Sequence, residues 1–207
     1  MRPDPRAYPD YVQAFARIVG KVVASLGTVG QRHLPIKLYV AGGAALHLRL
    51  GGRVSADIDG MFSQRIVIND NLEVAYRDPD GRARVLYLDR NYNDTLGLMH
   101  ERAYEDSQRM DLPGLDGKVV EVRLLSPLDL AVSKLARFSE QDREDIRQLA
   151  AEGLIDAKKL RVRAEEALKA YVGDTRSVQM SIDLACNMIE AASSSPAKAA
   201  RSKPRRR

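Results

Sequence analysis

The sequence has little of what secreted or membrane proteins need. It contains one cysteine, Cys186, so no disulfide can form within the chain. No apolar run approaches the roughly 20 residues that span a bilayer, and the opening MRPDPRAYPD lacks the apolar segment of a secretory signal. The three histidines are isolated in the sequence, without the spacing of metal ligands. We therefore expect a cytoplasmic protein with no membrane partner.

Acidic residues are missing from the C-terminal tail. Residues 192–207 contain six lysines or arginines and no aspartate or glutamate, while the whole chain has a net charge of +5. The remaining residues therefore sum to −1. A Ser/Pro/Ala-rich basic tail without periodic apolar residues predicts disorder. It either binds nucleic acid by counterion release or is a solvated terminus with no role.

The order of patterns predicts an α+β fold with a small mixed β-sheet, flanking helices and a C-terminal helical bundle. The predicted domains are residues 1–152, a helical extension 153–191 and the tail 192–207. The first half is predicted to contain, in order, a helix 8–26, a strand 35–40, a helix 44–50, a strand 56–62, a hairpin of strands 72–76 and 85–89, a helix 94–108 and a strand 118–125. Helices are predicted to begin after Ser126, Ser139, Asp156 and Asp174, each marked by capping or turn residues.

Residues 40–59, VAGGAALHLRLGGRVSADID, carry most of the functional information. A strand that reaches Gly42 and Gly43 lets the backbone approach a phosphate, because no Cβ intervenes. The following helix turns its first amides and the positive end of its dipole toward an anion. Asp57 and Asp59, at i and i+2 of a strand, project from one face and suit a Mg²⁺ ion. Each motif alone also has a structural explanation, as a turn and as a half-exposed strand.

In this order and spacing the two motifs resemble the polymerase-β-like nucleotidyltransferase superfamily. The resemblance implies that Gly42 and Gly43 hold the triphosphate of an NTP, with Ser55 nearby. It implies that Asp57 and Asp59 bind Mg²⁺ or Mn²⁺. It also implies a third metal-binding acid on a later strand, for which Glu121 is the first candidate and Asp89 the second.

Residues 126–146, SPLDLAVSKLARFSEQDREDI, form a second motif. They resemble the lysine-then-acid helical motif of bacterial AbiEii-type nucleotidyltransferase-like toxins and their uncharacterised relatives. The matching residues are Lys134, Asp142 and Asp145. The resemblance implies that Lys134 binds the β- or γ-phosphate and that one of the two aspartates orients Lys134 or the acceptor. A capping box with Ser139 would explain Asp142 without chemistry.

The two resemblances imply a Mg²⁺-dependent nucleotidyltransferase that moves NMP from an NTP to RNA, such as tRNA, or to protein. By analogy, the chain would be the toxin component of a toxin–antitoxin pair, with a cognate antitoxin as partner. The alternative is a catalytically silent module on the same fold that binds nucleotide or protein.

Overall fold

The computed structural model describes residues 1–26, 34–68, 71–89, 92 and 97–194, and in 193–194 it describes the backbone alone. The chain divides into two compact units. The first comprises Met1–Asn93 and Arg102–Ser126, and the second comprises Asp94–Glu101 and Pro127–Arg207. The domain boundary after residue 152 stays a prediction from the sequence.

The first unit is built on a six-stranded mixed sheet. Its strands are β1 (Ile36–Val40), β2 (Asp57–Phe62), β3 (Glu73–Arg77), β4 (Ala83–Asp89), β5 (Gln108–Met110) and β6 (Val120–Leu124), in the order β3-β4-β2-β1-β6-β5. β1 runs antiparallel to β2 and parallel to β6, and β2 runs parallel to β4. This sheet confirms the predicted fold class, and the β3–β4 hairpin lies where the alternating pattern and the Asp-Pro-Asp-Gly turn predict it.

Alternation along the strands gives the sheet one apolar and one polar face. Ile58 on β2 is fully buried, and the register places it on the same face as the buried residues of the neighbouring strands. Helix α1 (Pro9–Ser25) and helix α2 (Gly42–Leu50) belong to this unit, and Tyr11 of α1 packs edge-on against Tyr76 of β3 on this face. The opposite face carries many of the polar strand residues, among them Lys37, Tyr39, Asp57, Asp59, Tyr87, Asp89, Glu121 and Arg123.

The second unit is helical over most of residues 127–194, as predicted. Its helices are α3 (Pro127–Ser133), α4 (Glu140–Ala151), α5 (Ala157–Leu168) and α6 (Thr175–Ser194). Leu160, Ile182 and Ile146 are fully buried and represent the apolar stripes of α5, α6 and α4. Across this core, buried Asp129 of α3 accepts hydrogen bonds from Arg163 of α5 at 2.8 and 3.1 Å. No helix in the described part of the chain is long and apolar enough to cross a membrane.

One predicted element is wrong. The helix expected over residues 94–108 does not form in residues 97–107, which are bends, turns and irregular backbone, and β5 begins at Gln108. Tertiary contacts explain the difference, because Arg123 of β6 donates to the side chain and the backbone carbonyl of Ser107, and Tyr104 packs against Tyr39 of β1. Residues 94–96, and residues 195–207 of the tail, lie outside the described residues.

Candidate functional site

The two glycines form the first turn of α2 instead of a turn before it. Gly42 has φ +61°, a value that favours glycine. A Cβ on Gly42 would lie 1.7 Å from Oδ2 of Asp59. The Ala41 amide also donates to the Asp59 carbonyl at 2.8 Å. Glycine is therefore required here because the helix begins directly against a carboxylate of β2.

Gly43 brings the same turn against the segment that leads into β2. A Cβ on Gly43 would lie 3.0 Å from Oγ of Ser55, and the buried Ser55 hydroxyl donates to Oδ1 of Asp57 at 2.5 Å. The structure thus brings together all five residues that the first motif singled out. The amide groups in the first turn of an α-helix have no partner within the helix, so this turn offers donors beside two carboxylates.

The two candidates for a third acid lie at different positions on the polar face. Asp89 ends β4 directly in register with Asp59, and neighbouring strands are about 4.8 Å apart. Glu121 on β6 is instead in register with Lys37, at the start of β1, and accepts a hydrogen bond from Arg123 at 2.6 Å. Because Lys37 precedes Ala41 by four positions, Glu121 lies about 13 Å along the strand from the Asp59 end. Asp89 is therefore the acid adjacent to Asp59.

The carboxylates fit a hard divalent cation only in part. Among the described residues, no group of three His, Cys, Asp or Glu side chains has the arrangement of a complete metal site. Mg²⁺ is usually held by one or two carboxylates together with water and substrate phosphates. Asp57 and Asp59 on one face, beside a glycine turn suited to phosphate, match that incomplete ligand set.

Two residues that the sequence reasoning did not select also belong to this site. Nη1 of Arg53 would lie 3.3 Å from a Cβ on Gly43, so this exposed guanidinium lies over the first turn of α2. The buried His47 ring accepts from the Tyr8 amide at 2.9 Å and contacts the Arg53 carbonyl at 3.1 Å. Burial lowers the pKa of His47, so the neutral ring can accept at one nitrogen and donate at the other. A signal was available, because Arg53, Ser55, Asp57 and Asp59 recur at every second position.

A cavity of about 730 Å³ opens beside Asp89. The paired part of β2 and β4 ends at Asp59 and Asp89, whereas β2 continues to Phe62. The cavity lies along this extension of β2. Its lining is mainly apolar, with Asp89, Arg65 and Gln64 as hydrogen-bonding groups among the residues Gly60, Met61, Phe62, Gln64, Arg65, Ile66, Val67, Ile68, Leu88, Asp89 and Tyr92.

In the second unit, the three residues of the second motif form one buried cluster. The Lys134 ammonium donates to Oδ2 of Asp145 at 2.6 Å and lies 3.6 Å from Oδ1 of Asp142. All three side chains are at least 94% buried. Gln141 also donates to Asp145 at 3.0 Å. The charge of Lys134 is thus balanced within its own unit by the two acids that the motif predicted.

Asp142 also has the structural role that was left open. With Ser139 it forms a complete capping box at the start of α4, and Arg137 donates to both of its oxygens at 2.7 Å. Burial disfavours the ionised form, but the hydrogen bonds from Arg137 and Ser139 and the charge of Lys134 outweigh it, so the pKa of Asp142 falls to about 2. Asp142 is therefore ionised at neutral pH.

The comparisons with known proteins agree with the character of this site. A family model described as "Nucleotidyltransferase of unknown function (DUF6036)" matches residues 19–191, which include both motifs. The comparisons with curated proteins and with solved structures gave no significant match.

Proposed function

The chain belongs to the DUF6036 family of nucleotidyltransferases, and from this premise we propose that its first unit transfers NMP from an NTP to an acceptor hydroxyl. One observation carries the proposal. The α2 turn and the Asp59 carboxylate are packed so closely that only glycine fits at position 42. The amide groups that would donate hydrogen bonds to phosphate and the carboxylate that would bind a cation therefore lie next to each other, as transfer of a nucleotide requires.

The phosphates of the NTP would bind at the start of α2. The first amides of the helix donate to phosphate oxygens there, and the helix dipole favours their negative charge. The absence of a side chain at Gly42 and Gly43 leaves the backbone accessible to the phosphates. The Ser55 hydroxyl, which donates to Asp57, holds that carboxylate in one orientation.

Asp57 and Asp59 would hold a Mg²⁺ or Mn²⁺ ion, with Asp89 as the nearest further carboxylate. When bound, such an ion neutralises the charge that develops on the phosphate oxygens. The pairing of β2 with β1 and the contact of Asp59 with the α2 turn set the positions of the two carboxylates. Glu121 remains a candidate for the third acid from the sequence, although its register with Lys37 favours Asp89.

The reaction would be an in-line displacement at the α-phosphorus. The acceptor oxygen forms a bond to the α-phosphorus, the bond to the β-phosphate oxygen breaks, and pyrophosphate leaves with the electron pair. The acceptor proton passes to the Asp89 carboxylate. With the β- and γ-phosphates at the α2 turn, the acceptor must approach from the opposite side of Asp59. The cavity beside Asp89 lies on that side, because β4 and β1 flank β2 on opposite edges.

The acceptor and the biological role rest on the resemblance of residues 126–146 to AbiEii-type toxins. We propose that the acceptor is RNA, such as tRNA, or protein, and that the chain is the toxin component of a toxin–antitoxin pair. In the second unit, Asp145 and Asp142 would fix the orientation of the Lys134 ammonium. Contact of Lys134 with a phosphate remains a prediction from the resemblance.

Incubation with each α-labelled NTP, Mg²⁺, and either total tRNA or a protein extract tests the proposal. We expect label on one acceptor class with release of pyrophosphate, and loss of labelling with EDTA. Label on neither class, from a protein that binds NTP with a defined stoichiometry, would contradict the proposed transfer. That result would favour the alternative of a silent nucleotide-binding module.

A further inference from the structure

We propose that Arg53 binds the β- and γ-phosphates and makes the site selective for nucleoside triphosphates over monophosphates; this inference rests on the proposed function. Nothing in the polymerase-β-like or AbiEii-like motifs described above assigns a role to this residue. Its position, its surroundings and the exposure of the residue carry the argument.

The first observation is position. Arg53 Nη1 would lie 3.3 Å from a Cβ on Gly43, and Ser55 would lie 3.0 Å from the same Cβ. Arg53 and Ser55 therefore occupy the space that a side chain on Gly43 would fill. The guanidinium thus lies at the same helix start that supplies the phosphate-binding amides.

The second observation is electrostatic. A helix N-terminus carries a partial positive charge, so a guanidinium over the same turn is unfavourable by itself. The Asp59 carboxylate lies against the same turn, and Asp57 is hydrogen-bonded to Ser55 beside it, so the two acids offset this charge in the protein alone. When the two carboxylates hold a cation, the positive charges of the turn, Arg53 and the cation together match a triphosphate.

The third observation is how the side chain is presented. The Arg53 carbonyl is fixed by His47, which in turn accepts from the Tyr8 amide. Arg53 as a residue is exposed, so a ligand can reach its side chain. Its backbone is thus anchored beside the helix start, and the planar guanidinium is well suited to bidentate hydrogen bonds with phosphate oxygens.

A nucleoside monophosphate would not need this group. A monophosphate places its one phosphate near the carboxylates and the cation, and it has no β- or γ-phosphate to extend over Gly43. Arg53 should therefore contribute to the binding of triphosphates and of inorganic tripolyphosphate, with little effect on monophosphates.

The test is isothermal titration calorimetry in Mg²⁺ with the four NTPs, the matching NMPs and inorganic tripolyphosphate. For Arg53→Gln we expect Kd for NTP and for tripolyphosphate to rise about 10- to 100-fold, the usual range for a hydrogen bond between charged groups. Arg53→Lys should lie between Arg53→Gln and the wild type, because an ammonium keeps the charge and loses the fork. NMP binding should stay unchanged in both variants.

Arg82→Gln is the matched control, since it removes the same charge from an exposed arginine beside the β3–β4 turn. Arg82 precedes Asp89 by seven positions, or about 23 Å of extended chain, so the binding constants of Arg82→Gln should equal those of the wild type. Unchanged melting temperatures would show that each variant is folded, as expected at exposed positions.

Equal losses for NTP and NMP, or no loss for either, would overturn the role of Arg53. If the wild type binds NTP and Asp59→Asn weakens this binding while Arg53→Gln does not, the proposed function stands and the Arg53 inference fails. A wild-type protein that binds no NTP contradicts the proposed function, and the inference with it.

Discussion

At the scale of single residues, the site depends on two positions that have no room for a side chain. Glycine is needed at positions 42 and 43 because Asp59, Ser55 and Arg53 fill the space that a Cβ would occupy. Asp-x-Asp spacing alone gives no such information, since many half-exposed strands carry alternating acids. Packing against a helix start turns two common motifs into one specific arrangement.

The identity of the third acid is a residue-scale prediction. Asp89→Asn should reduce nucleotide transfer by at least about 10-fold, because Asp89 is in register with Asp59 and would accept the acceptor proton. Glu121→Gln should keep the transfer rate within about 2-fold of the wild-type rate, because Glu121 pairs with Arg123 away from the Asp59 end of the sheet. Initial rates with labelled NTP would measure both. A larger loss in Glu121→Gln than in Asp89→Asn would restore Glu121 as the third acid.

The sequence predicted these residues unevenly, for a physical reason. Asp57, Asp59 and the two glycines lie close together in the sequence, so their spacing within one strand and one turn can be recognised from the sequence alone. Asp89 was ranked below Glu121 because strand order and register are non-local properties. Arg53 shares the two-residue spacing of Ser55, Asp57 and Asp59, but it was missed because only the folded structure shows that it lies against the start of α2.

At the scale of elements, the start of α2 is the critical feature. In Gly42→Ala, the new Cβ would lie 1.7 Å from the Asp59 carboxylate, and φ +61° is unfavourable for alanine. We expect a loss of more than about 1 kcal/mol in the free energy of unfolding and a near-complete loss of transfer. Urea denaturation and the labelling assay would measure the two effects.

Gly81→Ala is its matched control, because Gly81 has φ +78° and its Cβ would meet nothing within 4 Å. It should lose about 1 kcal/mol from backbone strain alone and retain full activity. A Gly42→Ala protein no less stable than Gly81→Ala would show that the helix start can move away from Asp59. The required contact between turn and carboxylate would then be wrong.

The α3–α4 region gives a second element-scale prediction. Lys134→Ala would remove the ammonium group that pairs with the buried carboxylates of Asp145 and Asp142. We therefore expect a loss of about 3–5 kcal/mol in the free energy of unfolding. Lys159→Ala is the control, since its pair with Asp156 is exposed and should change stability by less than about 1 kcal/mol. Chemical denaturation would compare them. Equal stability of the two variants would show that the cluster is not structural, and activity losses in Lys134→Ala would then report on catalysis alone.

Most elements were predicted from sequence because their signals are local. The capping box at Ser139, the Asp-Pro-Asp-Gly turn and the amphipathic stripe of α1 all lie within one element. The helix expected over 94–108 failed because its residues are fixed by partners far away in sequence, such as Arg123 and Tyr39. Local propensity gives way to tertiary contacts in such segments.

At the scale of the whole molecule, pH should act on stability through His47. Burial lowers its pKa below the usual 6.5, so the unfolded chain takes up the proton first as the pH falls. The contribution of the neutral His47 ring to the free energy of unfolding should be complete above about pH 6.5 and should decline below that pH. Melting temperatures from pH 7.5 to 5 should therefore fall more steeply for the wild type than for His47→Gln. Parallel curves would show that His47 is protonated in the folded protein without cost.

The central claim for the whole molecule is that the carboxylates beside the α2 turn carry the transfer of NMP. Asp57→Asn and Asp59→Asn keep side-chain shape but each removes a charge from the cation-binding pair. Stabilisation of developing charge by a bound metal is worth several kcal/mol. Melting temperatures should stay close to that of the wild type, because each substitution removes both the repulsion between the two carboxylates and the attraction of one of them to the positive start of α2.

The most direct measurement is the initial rate of label transfer from α-labelled NTP in saturating Mg²⁺, for the wild type and for Asp57→Asn and Asp59→Asn. We predict that each substitution lowers this rate by at least about 10²-fold in proteins with unchanged melting temperatures. An Asp57→Asn or Asp59→Asn protein that transfers label as fast as the wild type would contradict the account.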